Sequence, residues 1–137
     1  MGIHIIKKCI LLLFAFISST VSYSQTGFDF KRTIGKYPVV VSLYGYMSEV
    51  EGGMYYVSQG KNKKLQLRGE CISELDSNQL SWKFIETVNG RYNGTYYVVW
   101  NAFVGGLKNM VGTYVNAKGR EFQVNLKCVK TESLRER

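Results

Sequence analysis

The chain has 137 residues, 45% of them hydrophobic and 14% aromatic, with 18 Lys and Arg against 10 Asp and Glu for a formal net charge of +8. This length suits one domain with its own apolar core, and the positive balance favours solubility and attraction to anionic surfaces without naming a partner. The single histidine, His4, falls within the expected amino-terminal leader, so the chain without that leader is expected to lack Ser-His-Asp and Cys-His catalysis and His-ligated zinc or haem, and the sequence has no Gly-rich phosphate loop, Cys-x-x-Cys or spaced acidic calcium loop.

The amino terminus reads as an export leader. Lys7 and Lys8 precede an apolar stretch, residues 9–17, too short to span a bilayer, and Val21, Ser22, Tyr23 and Ser24 supply the small and polar residues of a cleavage region. Cleavage is expected after Ser24, which removes His4 and gives a free, soluble product, periplasmic or extracellular, with no stable membrane anchor. Nucleic acid is not an expected partner outside the cytoplasm.

From residue 25 onward the apolar residues recur at every second position, the period of a half-buried strand. The expected strands are residues 28–34, 39–46, 50–57, 65–71, 80–86, 94–100, 108–114 and 121–128. Leu65 and Leu67 alternate with Gln66 and Arg68; Leu80, Trp82 and Phe84 with Ser81 and Lys83; Phe122, Val124 and Leu126 with Gln123 and Asn125. The second strand phases as Val39, Val41, Leu43. Pro38 belongs at a strand start, since it cannot donate to a ladder. Asn89-Gly90 is a strong hairpin signal, and residues 60–63 and 116–119 read as further turns. From Thr131 on, no periodicity is present, and a charged tail is expected from about residue 130.

Short connections allow only antiparallel neighbours. Eight such strands with one apolar face must close or stack, and the expected architecture is a single eight-stranded antiparallel up-and-down barrel, its interior either filled by side chains or holding one small ligand. Gly52, Gly94 and Gly112 fall within strands, where tight curvature crowds a side chain.

These glycines belong to a loose repeat: Gly53-Met54-Tyr55-Tyr56, Gly94-Thr95-Tyr96-Tyr97 and Gly112-Thr113-Tyr114. The pattern resembles the Gly-x-Trp and Gly-Thr-Tyr steps of the avidin and lipocalin (calycin-like) barrels. The order Gly35-Lys36-Tyr37-Pro38-Val39, Val50-Glu51-Gly52, Leu65-x-Leu67-x-Gly69 and Gly112-Thr113-Tyr114 also resembles small exported barrel proteins of Bacteroidetes. The resemblance implies a fold, and it transfers no ligand-contacting residue, because Gly35-Lys36-Tyr37 follows the first strand where lipocalins carry Gly-x-Trp within it.

Cys71 and Cys128 continue the inward alternation of the fourth and eighth strands. In an exported protein the pair reads either as a disulfide or as two buried thiols that pack. Glu86 continues the inward series Leu80, Trp82, Phe84; it reads either as a rim residue beside water or as a buried polar anchor needing a partner such as Arg68 or Arg91. Glu49 with Glu51, and Glu70, Glu74 and Asp76, read as solvated strand-end charges rather than a paired-carboxylate catalyst.

The expected role is therefore binding without catalysis, with no cofactor and no metal. A small apolar ligand or a glycan would meet Trp82, Phe84, Glu86, Tyr96 and Trp100, or an outer aromatic strip near Tyr44, Tyr46 and Trp100. The alternative is an envelope protein-interaction module, such as an enzyme inhibitor or immunity protein, using the loop around Phe103. The basic turn Lys61, Asn62, Lys63, Lys64 reads either as a solubilising tip or as a contact for an acidic partner or lipid headgroups. Oligomeric state is not legible.

Overall fold

The structure is a computed structural model and describes residues 25–46, 49–76, 79–101 and 109–134. The expected leader, residues 1–24, and the loop holding Phe103 lie outside these residues. Eight strands follow in order: β1 (Gln25–Ile34), β2 (Tyr37–Tyr46), β3 (Glu49–Tyr56), β4 (Leu65–Asp76), β5 (Gln79–Val88), β6 (Arg91–Trp100), β7 (Asn109–Asn116) and β8 (Glu121–Leu134). Each pairs antiparallel with the next, and β8 pairs with β1, so the sheet closes into one barrel.

Alternation decides what fills it. Val39, Val41 and Leu43 of β2, Leu80, Trp82 and Phe84 of β5, and Val124, Leu126 and Cys128 of β8 are all buried, as the period-two pattern predicts. Their neighbours Arg68 and Glu70 on β4, Lys83 on β5, and Gln123 and Lys127 on β8 point outward. A membrane-spanning barrel carries an apolar outer band; this outer wall is mixed, with Arg68, Glu70 and Lys83 beside exposed Ile72, Tyr97, Val111 and Val129. Among the described residues no helix is long and apolar enough to cross a membrane.

The strands run longer than the periodicity marks. β8 continues to Leu134 because its last residues pair with the start of β1, Gly27 opposite Glu132 and Thr26 opposite Ser133. The expected tail is thus strand as far as residue 134; its backbone ladder requires no apolar alternation. Arg32 breaks the pattern. Its ladder partners Val39 and Leu126 face inward, yet Arg32 is exposed, turned out by a φ of 143° that keeps its charge from the core.

Glycine serves two purposes in the wall. A Cβ at Gly52 or Gly112 would collide with the backbone of the neighbouring strand, at Ser42 and at Tyr97 respectively, so these positions bring adjacent strands close, as curvature demands. At Gly69 and Gly94 the obstacle is a ring instead: Phe84 lies over Gly69 and Tyr114 over Gly94. The Asn89-Gly90 hairpin has φ of 51° and 80°, positive at both positions as this dipeptide permits.

A Cys71–Cys128 disulfide does not form. Cys128 is a free, buried thiol whose sulfur lies 3.5 Å from the Lys130 carbonyl oxygen and 3.5 Å from Thr131 Oγ1. In a ring of eight strands β4 and β8 stand on opposite sides, beyond the short span a disulfide tolerates.

Candidate functional site

β5 sends Leu80, Trp82, Phe84 and Glu86 inward in succession, and Glu86 is 1% exposed. Of its two readings, rim residue and buried polar anchor, the rim is corrected and the buried one holds: β5 runs on to Val88, and side chains from β6 and β7 cover the carboxylate. Neither arginine is its partner. Arg68 lies on the outer wall, 3.6 Å from Glu51. Glu86 Oε1 instead accepts from the Tyr96 hydroxyl at 2.6 Å, and Oε2 accepts from the Tyr114 hydroxyl and from Asn93 Nδ2, each at 2.6 Å. Three donors thus converge on an acceptor-only group, and such charge-assisted bonds are the strong ones.

The Gly-Thr-Tyr repeat builds this arrangement. Gly94 and Tyr96 point inward from β6, Gly112 and Tyr114 from β7, and the bare Gly94 leaves room for the Tyr114 ring to lie against β6. The two rings pack 4.4 Å apart between centroids. Burial first, and then Glu86, raise the Tyr96 and Tyr114 phenols well above their ordinary value; the same two causes push Tyr56 up to about 12. All three remain protonated donors at neutral pH.

Above this cluster the barrel opens at the end formed by the β1–β2, β3–β4, β5–β6 and β7–β8 turns. A pocket of about 590 Å³ lies there, with Tyr56, Tyr114 and Asn93 among its lining residues. Two of these, Tyr114 and Asn93, are the donors that hold Glu86 from above. Tyr37 and Phe122 add aromatic walls, Tyr37 edge-on to Tyr56 at 6.3 Å and Phe122 at 6.2 Å from Tyr114. Ser58, Gln59 and Asn116 supply hydroxyl and amide groups. The rim is braced: Asn116 Oδ1 accepts from the backbone N–H of Lys118 at 3.0 Å and of Arg120 at 2.9 Å, and the Gly35 N–H donates to the Gln123 carbonyl at 2.7 Å. The site thus offers rings and hydrogen-bonding groups to a ligand, while its one inward carboxylate is sealed beneath phenols.

The residues expected to meet a ligand come together elsewhere. Trp82, Phe84, Tyr96 and Trp100 meet inside the barrel, none more than 4% exposed. Trp82 stacks with Phe84 at 5.8 Å and packs on Trp100 at 5.3 Å, and Phe28 meets Trp100 edge-on at 4.8 Å. Trp100 therefore does not join Tyr44 on an outer strip; the side chain of Tyr46 lies outside the described set. The alternation Tyr96, Val98, Trp100 carries the signal for its inward direction. Trp82 Nε1 is buried without a hydrogen-bond partner, an arrangement that costs about 1–3 kcal/mol. Tyr56, Asn93 and Tyr114 were not among the expected site residues, although the repeat contains both tyrosines.

A second depression, about 550 Å³, lies on the outer wall among Tyr44, Glu51, Arg68, Glu70 and Lys83. Its charges are mixed and partly paired with each other. Among the described residues no group of three His, Cys, Asp or Glu could hold a metal ion.

No protein-family model matches this chain, and neither a curated protein nor a solved structure matches it.

Proposed function

We propose that the protein is an exported, noncatalytic binding barrel that takes a saccharide at its tyrosine-lined mouth. One observation carries this reading: Val41, Leu67, Trp82, Phe84, Tyr96 and Leu126, which would line a central ligand cavity, are only 0–6% exposed. They pack together as the apolar core, which leaves little of their surface for an apolar cargo to lie against. The concavity that does reach solvent at the barrel end presents aromatic faces together with amides and hydroxyls. Rings pack on the C–H faces of a sugar while the polar groups bond its hydroxyls.

The test is calorimetric titration with a panel of neutral and acidic oligosaccharides. Binding is expected for wild type, with loss in Tyr37→Ala and Tyr56→Ala and retention in Tyr97→Ala, which alters an outward ring. An apolar cargo retained through purification and seen by native mass spectrometry, or indifference to the mouth tyrosines, would overturn the reading.

A further inference from the structure

Every turn at the open end carries a base. Lys36 sits on the first, Lys61, Lys63 and Lys64 on the second, Arg91 beside the third, and Lys118 and Arg120 on the fourth, all exposed. Among the described residues, the acid on these turns is Glu121, at the start of β8. Among the described residues, ion pairs join Arg68 with Glu51 and Lys130 with Glu132, both away from this end, so the mouth bases have no carboxylate partner. Closure of the barrel is what brings together turns far apart in sequence, and it concentrates positive potential around one concavity.

Two of these bases sit against aromatic rings of the pocket. Lys36 Nζ lies 5.6 Å from the Tyr37 ring centroid, and the Arg120 guanidinium lies 5.7 Å from that of Phe122. Lys118 and Arg120 also line the pocket. A ligand packed on those rings would place its substituents beside unpaired cations. Glu86, the nearest inward carboxylate, lies beneath Tyr114 and Asn93 with its oxygens already bonded.

We propose that the preferred ligand is an anionic saccharide, one bearing carboxylate or sulfate groups, with its ring on Tyr37, Tyr56 and Phe122 and its charge met by Lys118 and Arg120. This rests on the saccharide reading above and adds the ligand's charge.

The experiment compares an oligogalacturonate, a sulfated heparin-derived oligosaccharide and a neutral maltooligosaccharide by calorimetry at low and moderate salt, with vesicles of anionic phospholipid as a fourth probe. At least one acidic probe is expected to bind more tightly than the neutral one and to weaken as salt rises. Replacing Lys118 and Arg120 together by Ala should weaken acidic binding by roughly five- to tenfold, as two exposed charge contacts would, and weaken neutral binding by clearly less. Lys31→Ala with Lys127→Ala, on the outer wall, should have no effect. Equal binding of neutral and acidic probes, or an acidic affinity indifferent to Lys118 and Arg120, would overturn the anionic preference and leave the saccharide site standing. Vesicle binding with no saccharide binding would overturn both.

Discussion

The Tyr114 hydroxyl of β7 donates to Glu86 Oε2 of β5 at 2.6 Å, spanning β6 to join two strands that share no ladder. Tyr96 binds the other carboxylate oxygen at the same distance. Polar side chains thus tie the upper third of the barrel together beneath the pocket, so the site's floor and the fold's stability depend on the same atoms.

Removing either partner should be costly. Tyr114→Phe loses a bond to a charged acceptor, about 1.5–3 kcal/mol. Glu86→Leu leaves three donors without their acceptor and should lose more, on the order of 3–5 kcal/mol. Urea unfolding measures both. Losses below about 0.5 kcal/mol, the scale of ordinary surface substitutions, would mean the cluster contributes little.

The glycines should separate by what they face. Gly112→Ala drives a methyl into the Tyr97 carbonyl and the Val98 backbone, so two strands must part; Gly94→Ala meets the Tyr114 side chain. Both should destabilise by about 1–3 kcal/mol or more, with Gly112→Ala the worse. Combining Gly94→Ala with Tyr114→Ala should recover part of the Gly94→Ala loss, and strict additivity in that cycle would contradict the account.

Alkaline pH should unfold the barrel through its phenols. Tyr56, Tyr96 and Tyr114 have folded values raised by burial and by Glu86, Tyr56 to about 12, whereas an unfolded phenol ionises near 10. A raised folded value gives stability that is complete below about pH 10 and is lost as pH climbs through about 12. Thermal unfolding followed with phenolate absorbance should show a plateau, then a fall from about pH 10, with these phenols ionising only as the structure opens. A fall that begins near neutrality would not come from them.

Cys128 should resist thiol reagents in the native state, because it is buried. Labelling should accelerate on addition of urea, and peptide mapping should find no Cys71–Cys128 cross-link. Rapid native labelling would show that the end of β8 opens.

The wall of the barrel was legible because period two is a local property: Val39, Val41 and Leu43, or Leu80, Trp82 and Phe84, declare their face within a few residues. The same rule turns Trp100 inward, two steps beyond Tyr96, against the outer-strip reading that set it beside Tyr44. Glu86 was not decided by that rule, because its burial depends on where β5 ends and on phenols arriving from β6 and β7. The mouth was least legible of all. Ser58, Asn93, Asn116 and Phe122 lie on separate turns and strand ends, and only closure of β8 on β1 gathers them.

The most direct measurement is an amide and indole NMR map of the protein titrated with the tightest-binding oligosaccharide. Shifts should concentrate at Tyr37, Tyr56 to Gln59 and Asn116 to Phe122, while the indoles of Trp82 and Trp100 stay fixed. Perturbation centred on those indoles, or on Tyr44, Glu51 and Arg68 of the outer wall, would contradict a site at the barrel's mouth.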